Sequence, residues 1–468
     1  MYEWSHYMNG LRVGRKAIAL TAVVGLATLA AACSSGSSTS STASSAAPAA
    51  ESAAPAATAA ASAAASGGAS SGNCINDIFG PGGPEAGQGV TIPAGMLLAV
   101  TGQGSFFGHV MSMGAMLAAK QIKEAGGMDY QITVGDHKSG DVPSALTETK
   151  KLISDGIEVL QTSYGAPSEA IIPLIQEAGV LTFNGGGSSP AQLNQDFLYM
   201  NRMVYAEDPN AGALAWIHKT YPDAKKLALI GTMENGVGTF KETAPANWKA
   251  LTGGEVVAAE QHDVGATDFK ALAQKIKAAG PDAVMTFSFG DDLGYQVKAL
   301  REAGYTGPIM MDEFTSQAAK IAGSAYDGVN FAVDFYSTDN PNPWNQCFVE
   351  AWKAEYGDDK VQPVPEYYSS NYYEQVFIVW DLVKRVIKAG GDPNDAAQLQ
   401  AALIADPTFP SVYGGTADVV GSVTLDKTDH SISKPMGVFE VQNGTPTLLQ
   451  EIKKIKPGED PNTALVGG

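Results

Sequence analysis

Three segments rich in glycine and other small residues carry the types and spacing that could bind an anion. They are residues 100–108 (VTGQGSFFG), 162–168 (TSYGAPS) and 184–190 (NGGGSSP), and each follows a predicted strand. Glycines let backbone N–H groups approach a carboxylate without intervening side chains. Because ligands of open α/β sheets bind at the carboxyl ends of the strands, the three segments together predict an anion-tolerant cleft. Three tight connections without a ligand are the alternative.

The first segment also has the pattern Gly102-x-Gly104-x-x-x-Gly108, which is similar to a dinucleotide-binding turn. Asp136 would then contact the ribose, but it comes later than the usual spacing of about twenty residues. A tight connection with no ligand explains the glycines better. We therefore expect no cofactor.

Candidates for catalysis are few. None of the six histidines lies in a His-Glu-x-x-His motif, and no Gly-x-Ser-x-Gly motif provides a nucleophile. Asp291 and Asp292 begin a predicted helix, where a capping role is expected. Asp312 and Glu313 follow an apolar strand, so Glu313 could face the cleft or the pair could cap a helix before Ser316. The sequence predicts neither an enzyme nor a metal site.

The amino terminus carries the parts of a secretory signal. Arg12, Arg15 and Lys16 precede an apolar run, residues 17–32, that is too short to span a bilayer. Its end, LAAAC, is similar to the lipobox of bacterial lipoproteins, in which the cysteine is acylated and palmitate is an expected chain. Residues 1–32 are therefore predicted to be a signal peptide and Cys33 the lipidated amino terminus. Ordinary signal cleavage that leaves a Cys33 thiol is the alternative.

Residues 33–73 are predicted to form a lipid-anchored, disordered linker. They are mostly Ala, Ser, Thr, Gly and Pro, and Glu51 is their only charged residue. Such a segment cannot bury enough apolar surface to offset the entropy of ordering. Its r.m.s. reach of roughly 35 Å would keep the following domain near the membrane.

The number of cysteines and the net charge limit the cysteine chemistry and the binding partners that we expect. With Cys33 acylated, Cys74 and Cys347 remain as an even pair in an oxidising compartment, so we expect one disulfide. The whole chain has a net charge of −19, and removal of residues 1–32 leaves 27 basic and 48 acidic side chains, a net charge of −21. Nucleic acid and anionic lipid are therefore excluded as expected partners.

The segments that position these residues alternate short apolar runs with longer amphipathic ones, which is typical of βα units in parallel sheets. One series of strands is predicted at 96–100, 131–135, 158–161 and 180–183. A second series is predicted at 227–230, 255–260, 283–287, 309–311 and 329–333. Two series predict two similar α/β lobes, completed by helices at 345–356, 367–389 and 396–404 and by a β-like tail at 422–452.

Several motifs, taken in order, give the chain a family resemblance. Residues 98–108 and 114–127 (GAMLAAKQIKEAGG), with later segments at 145–155, 235–238 and 267–269, resemble the type 1 periplasmic binding proteins of the branched-chain amino acid family. These proteins deliver solutes to ABC importers. The resemblance extends from residue 96 to about residue 452.

The resemblance implies two Rossmann-like lobes with parallel central sheets, joined by a three-crossover hinge. Residues 74–90 would form an amino-terminal extension. Crossovers near residues 205–207, 333–336 and 413–415 would give a first lobe of 91–206 with 337–414 and a second lobe of 207–336 with 415–468.

The resemblance also implies ligand-binding residues. The first lobe would bind a solute carboxylate at Gly165, Gly186 and Ser188, and the second would place a carboxylate against an ammonium group. The full expected set is Phe107, Tyr164, Gly165, Gly186, Ser188, Asn235, Phe289 and Glu313. Phe107 and Asn235 stand where the family commonly has tyrosines, and Gly165 replaces a hydroxyl residue. These departures leave room for amides, urea-like solutes, aromatic acids or short peptides.

The function implied is that of a monomeric solute receptor anchored to the outer face of the cytoplasmic membrane. It would close on an amino-acid-like solute and deliver it to an ABC transporter permease, without a cofactor. A sensor that reports the solute to another membrane partner is the alternative that the sequence leaves open.

Overall fold

The computed structural model describes residues 74–187, 190–200, 209–232, 243–288, 290–427, 429–432, 434–455 and 458–467. The predicted signal peptide, Cys33 and the linker lie outside the described residues. Within these ranges, no helix combines the length and the apolar character needed to cross a membrane.

The described residues contain fifteen strands. Their bounds are β1 Thr91–Leu98, β2 Asp129–Asp136, β3 Val159–Thr162, β4 Leu181–Asn184, β5 Leu198–Met200, β6 Lys226–Thr232, β7 Glu255–His262, β8 Ala283–Phe287, β9 Ile309–Met311, β10 Asn330–Asp334, β11 Thr408–Thr416, β12 Val419–Asp426, β13 Ser431–Ile432, β14 Met436–Gln442 and β15 Thr445–Ile452.

Thirteen α-helices are described. Their bounds are α1 Cys74–Phe79, α2 Ser105–Glu124, α3 Val142–Ser154, α4 Gly165–Ala170, α5 Ile172–Ala178, α6 Asn210–Thr220, α7 Ala244–Thr252, α8 Lys270–Ala279, α9 Asp291–Glu302, α10 Ser316–Ala322, α11 Pro343–Tyr356, α12 Tyr367–Lys388 and α13 Ala396–Ala405.

The strands form two sheets, which confirms the predicted α/β class. The first has the order β11-β12-β13-β5-β4-β3-β1-β2, and the second has the order β15-β14-β10-β9-β8-β6-β7. Pairing is parallel where helices connect the strands, as between β1 and its neighbours β2 and β3. It is antiparallel in the β11–β12 and β14–β15 hairpins. Parallel pairing requires crossover helices, which is why amphipathic segments separate these strands.

The chain passes between the sheets after β5, after β10 and between β13 and β14. The third passage therefore lies at residues 433–435, and its predicted position at 413–415 is wrong. The reason is strand pairing: Phe409 pairs with Val423 across the β11–β12 hairpin, and Ser431 of β13 pairs with Met200 of β5. Residues 415–432 thus extend the first sheet. Strand β5 itself is too short to have been recognised in the sequence.

Helix α12 packs along α2 over the first sheet and supplies much of the core. Most of its side chains from Tyr367 to Val386 are buried. Gly114 permits the close approach, because a Cβ there would lie 2.1 Å from the backbone oxygen of Ser369. A capping box between Glu366 and Ser369 fixes the start of α12.

The amino-terminal extension is tied to helices of the first sheet. Cys74 and Cys347 form a disulfide with Cα atoms 6.1 Å apart, which joins α1 to α11. The indole N–H of Trp380 donates to the backbone oxygen of Ala86 at 2.7 Å. The ammonium of Lys384 lies 4.2 Å from the centre of the Trp380 ring. These contacts hold the extension where the linker would join the folded chain.

Candidate functional site

A cavity of about 340 Å³ lies between loops of the two sheets. One wall comes from the first sheet and contains residues 102–104, Phe107, residues 138–139 and Tyr164. The facing wall comes from the second sheet and contains Val264 and residues 290–292. These loops follow β1, β2, β3, β7 and β8, so the cavity lies at the carboxyl ends of the strands, where open α/β sheets bind ligands.

The two walls contact each other around the cavity. The hydroxyl of Tyr368, on α12, donates to Oε2 of Glu313 at 3.1 Å. The side chain of Gln103 lies directly against Gly265, where a Cβ would be only 1.9 Å from Oε1 of Gln103. A Cβ on Gly290 would lie 3.8 Å from the ring of Phe107. The structure therefore represents a closed cleft.

Aromatic rings form the base of the first wall. Phe107 is buried, and its ring centre lies 5.3 Å from that of Tyr368 and 6.5 Å from that of Tyr164. Tyr164 has a φ of +67°, a conformation that costs energy for a residue with a side chain. Gly187 makes it possible, because a Cβ there would lie 2.4 Å from the Tyr164 backbone. Tyr164 thus places a strained backbone conformation at the cavity.

The loop after β2 is held in an equally unusual conformation. Lys138, Ser139 and Gly140 have φ values of +49°, +60° and +113°. Gly140 donates its N–H to Nδ1 of His137 at 3.0 Å, so His137 carries its proton on Nε2, which faces Oγ of Ser163 at 3.0 Å. Burial lowers the pKa of His137 to about 4, which keeps the ring neutral.

The same loop is bonded to the loop after β1. Oγ of Ser139 donates to the backbone oxygen of Thr101 at 2.7 Å and accepts the N–H of Gly104 at 2.9 Å. Oδ1 of Asp136 accepts the N–H of Lys138 at 2.7 Å. Asp136 therefore positions this loop, in place of the ribose contact that the dinucleotide interpretation required.

The glycine loop after β4 differs from the expected anion cradle. The N–H groups of Gly186 and Gly187 donate to Oδ1 of Asn184 at 3.0 and 3.1 Å, so both are engaged within the loop. A Cβ on Gly186 would lie 2.4 Å from Cε of Met111, which covers this glycine. Gly165 begins α4, and its backbone oxygen accepts from Gln192 at 3.3 Å.

Glu313 lies in the cleft region but has protein partners. It is buried, and its Oε1 accepts the N–H of Gly290 at 2.7 Å while Oε2 accepts from Tyr368. Asp312 beside it accepts the N–H of Ser288 at 3.2 Å. The alternative role as a helix cap is wrong, because Thr315 caps α10 through the N–H of Ala318.

The second wall brings two further carboxylates to the cavity. Both oxygens of Asp292 accept the N–H of Gly265, at 3.1 and 3.0 Å, and burial raises the pKa of Asp292 to about 6. Burial also raises the pKa of Asp291, which starts α9 at the cavity edge. The sequence predicted a capping role for Asp291 and Asp292 and did not predict that they line the cavity.

Of the predicted site residues, Phe107 and Tyr164 line the cavity, whereas Gly165, Gly186 and Glu313 do not. Ser188, Asn235 and Phe289 lie outside the described residues. Sequence reasoning named the loop of Gln103 but not this residue, and it missed Lys138, Ser139 and Val264 as lining residues. Their signal was their position after β1, β2 and β7, at the same edge as the recognised loops. Within the described ranges, no cluster of three His, Cys, Asp or Glu side chains could hold a metal ion.

Residues 91–446 match the family model described as "Periplasmic binding protein". The chain is 26% identical over 332 residues to Leu/Ile/Val-binding protein homolog 1 of Brucella suis biovar 1, an alignment that covers 68% of this chain and 84% of the relative. It is 25% identical over 328 residues to the leucine-, isoleucine-, valine-, threonine- and alanine-binding protein of Pseudomonas aeruginosa, with the same coverage.

Solved structures share the fold. The branched-chain amino acid transporter substrate binding protein LivJ from Streptococcus pneumoniae, solved with isoleucine, has a TM-score of 0.66 and 20% identity, covering 78% of this chain and 99% of LivJ. An ABC transporter solute binding protein from R. palustris, solved with benzoate, has a TM-score of 0.64 and 21% identity, covering 80% of this chain and 99% of that protein.

Proposed function

Because the chain belongs to the periplasmic binding protein family, whose members bind solutes and are not enzymes, we propose that it is the solute receptor of an ABC importer. In this proposal it captures an amino-acid-like or aromatic carboxylate solute outside the cytoplasm and delivers it to a membrane permease. The two sheets with their helices form its lobes, and the three passages between them form its hinge.

The cavity between the two walls is the observation that carries the proposal. Its volume of about 340 Å³ is at the lower end of the range of small-molecule sites, roughly 300–1,000 Å³. Its lining comes from both sheets, so a bound solute would contact both lobes and favour the closed arrangement. The contacts of Gln103 with Gly265 and of Tyr368 with Glu313 stabilise that arrangement.

The aromatic base limits the class of solute. Phe107 and Tyr164 offer apolar surface, while Lys138 and Asp291 offer charge at the cavity edge. Relatives that bind branched-chain amino acids and a structural neighbour solved with benzoate support small carboxylates with an apolar body. Of the residues that sequence resemblance indicated, we propose Phe107 and Tyr164 as solute contacts and Glu313 as a residue of the closed cleft.

The proposed location is the outer face of the cytoplasmic membrane, through lipid on Cys33 and the linker that follows it. The disulfide between Cys74 and Cys347 supports an oxidising compartment, because such bonds are rare in the cytosol. A linker that ends at α1, which the disulfide joins to α11, would keep the receptor at high local concentration near its permease. We propose a monomer as the functional unit.

A thermal-shift screen of the purified protein tests the proposal. The panel contains the twenty amino acids, their amides, linear ω-amino acids, benzoate and 4-hydroxybenzoate, with native mass spectrometry of the freshly purified protein to identify a retained solute. We expect at least one compound to raise Tm and to bind with micromolar or lower Kd and no turnover. If no compound raises Tm and no solute copurifies, a solute-receptor function is wrong.

A further inference from the structure

We propose that Lys138 and Asp291 read the two charged ends of the solute, and that this solute is a zwitterion whose charges are separated along its length, such as an ω-amino acid. The proposal rests on the solute-receptor function above and names its substrate class. It places charge recognition on different residues from those that the sequence predicted.

The predicted groups for an α-amino acid already have partners. The N–H groups of Gly186 and Gly187 donate to Asn184. Both carboxylate oxygens of Glu313 accept hydrogen bonds, from Gly290 and Tyr368. A solute carboxylate held by those two N–H groups would have to displace Asn184, and a buried group left without a partner costs about 1–3 kcal/mol. Glu313 does not line the cavity.

Lys138 and Asp291 are in a different situation, because both line the cavity. In the part of the chain that the structure describes, no carboxylate forms an ion pair with Lys138 and no basic side chain forms one with Asp291. Lys138 has only a weak influence on Asp141, whose pKa is lowered chiefly by its hydrogen bonds with Ser144 and to a smaller extent by the charge of Lys138. The cavity lining thus holds Lys138 on one wall and Asp291, with Asp292, on the other, and Lys138 and Asp291 are both exposed and form no ion pair with each other.

Each charge stands on a rigid part of its own wall. The backbone of Lys138 is fixed by Asp136 and by the neighbouring hydrogen bonds of Ser139, despite three successive positive φ values. Asp291 begins α9 next to Asp292, whose oxygens bind Gly265. Strained backbone that the surroundings hold in place is typical of functional sites.

The placement of the two residues on opposite walls favours a solute with separated charges. Lys138 belongs to the first-sheet wall and Asp291 to the second-sheet wall, and a sphere with the cavity's volume would be about 9 Å across. The carboxylate and ammonium of an α-amino acid are attached to one carbon atom, so they suit adjacent partners. A solute with a carboxylate at one end and an ammonium at the other would contact Lys138 and Asp291 together, with its methylene chain against Phe107 and Tyr164.

Two isomers, 5-aminopentanoate and L-norvaline, test the inference because they differ only in where the amine is attached. Isothermal titration of the purified protein should give at least a tenfold lower Kd for 5-aminopentanoate. Pentanoate and pentylamine, which each carry one of the charges, should bind at least tenfold more weakly than 5-aminopentanoate. Equal or tighter binding of L-norvaline would overturn the separation of charges.

Substitutions of Lys138 and Asp291 test which residue binds which charged end of the solute. Lys138→Met should weaken the binding of 5-aminopentanoate and pentanoate at least tenfold and leave that of pentylamine unchanged. Asp291→Asn should weaken the binding of 5-aminopentanoate and pentylamine at least tenfold and leave that of pentanoate unchanged. Lys151→Met and Asp155→Asn, exposed at the far end of α3, are matched controls and should bind like wild type. Unchanged binding in Lys138→Met or Asp291→Asn would overturn the assignment. If leucine or benzoate binds and 5-aminopentanoate does not, the receptor function stands and this inference fails.

Discussion

Gly265 offers a direct test of closure, because a methyl group there would meet the opposite wall. A Cβ at Gly265 would lie 1.9 Å from Oε1 and 2.3 Å from Cδ of Gln103, so the amide of Gln103 would have to move. The amide is the flexible end of an exposed side chain, so moving it costs about 1 kcal/mol, the low end for overpacking, and only when the cleft is closed. Gly265→Ala should therefore weaken solute binding about fivefold.

The substitution also has a cost that does not depend on closure. Gly265 has a φ of +80°, so alanine there strains the backbone by about 1–2 kcal/mol in the open and closed states alike. Gly280→Ala is the matched control, since Gly280 has a φ of +63° and a Cβ there would have no neighbouring atom within 4 Å. Both variants should lose similar stability to urea, but only Gly265→Ala should lose affinity.

Isothermal titration with the compound that gives the largest thermal shift in the screen measures the effect. Combining Gly265→Ala with Gln103→Ala removes the clash and should recover most of the lost affinity, which is the coupling expected for groups in contact. Wild-type affinity in Gly265→Ala, an equal loss in Gly280→Ala, or no recovery in the double variant would each refute the reasoning that these walls meet on closure.

Three further predictions concern the contact between Tyr368 and Glu313, the disulfide and a buried histidine. Tyr368→Phe removes a hydrogen bond to the Glu313 carboxylate, worth about 1.5–3 kcal/mol, so titration should show at least tenfold weaker binding; unchanged Kd would exclude a role in closure. Replacing Cys74 and Cys347 together by serine should lower the free energy of unfolding by about 2–5 kcal/mol in urea, and an unchanged midpoint would contradict this. Burial lowers the pKa of His137 from 6.5 to about 4, so the unfolded chain binds the proton first and wild type should lose up to about 3 kcal/mol as pH falls from 6.5 to 4; His137→Gln should lack this component, and identical pH profiles would refute it.

The sequence predicted the strands of the βα units well, because period and spacing are local properties. The bounds of β8 and β9 agree with the predicted 283–287 and 309–311. It did not predict that β12 and β13 extend the first sheet, since that depends on pairing with β5 across more than two hundred residues. A short strand shows no recognisable hydrophobic periodicity, and the sheet that it joins depends on the strand with which it pairs.

The sequence predicted at which edge of the sheets the site lies, but not which residues contact each other there. The loops after β1 and β3 were recognised by their glycines, and they do line the cavity. A glycine N–H is available to a ligand only if no protein acceptor already binds it. Oδ1 of Asn184 accepts the N–H groups of Gly186 and Gly187. Lys138 carries no local motif; only the positive φ values of its loop, which are visible in three dimensions, mark it.

The third passage between the sheets carries a buried ion pair. Lys434 lies in it, fully within the protein, and its ammonium pairs with the carboxylate of Glu374 on α12 and lies 4.3 Å from the centre of the Tyr413 ring. Glu374 also accepts the hydroxyl of Ser411 and the N–H of Val412. Separating such a buried pair would leave uncompensated charges, at a cost of about 3–5 kcal/mol. The charge of Asp334, at the end of β10 in the second sheet, also acts on Lys434, so we propose that Lys434 links both sheets at this passage and that any bend there keeps its pair with Glu374 intact.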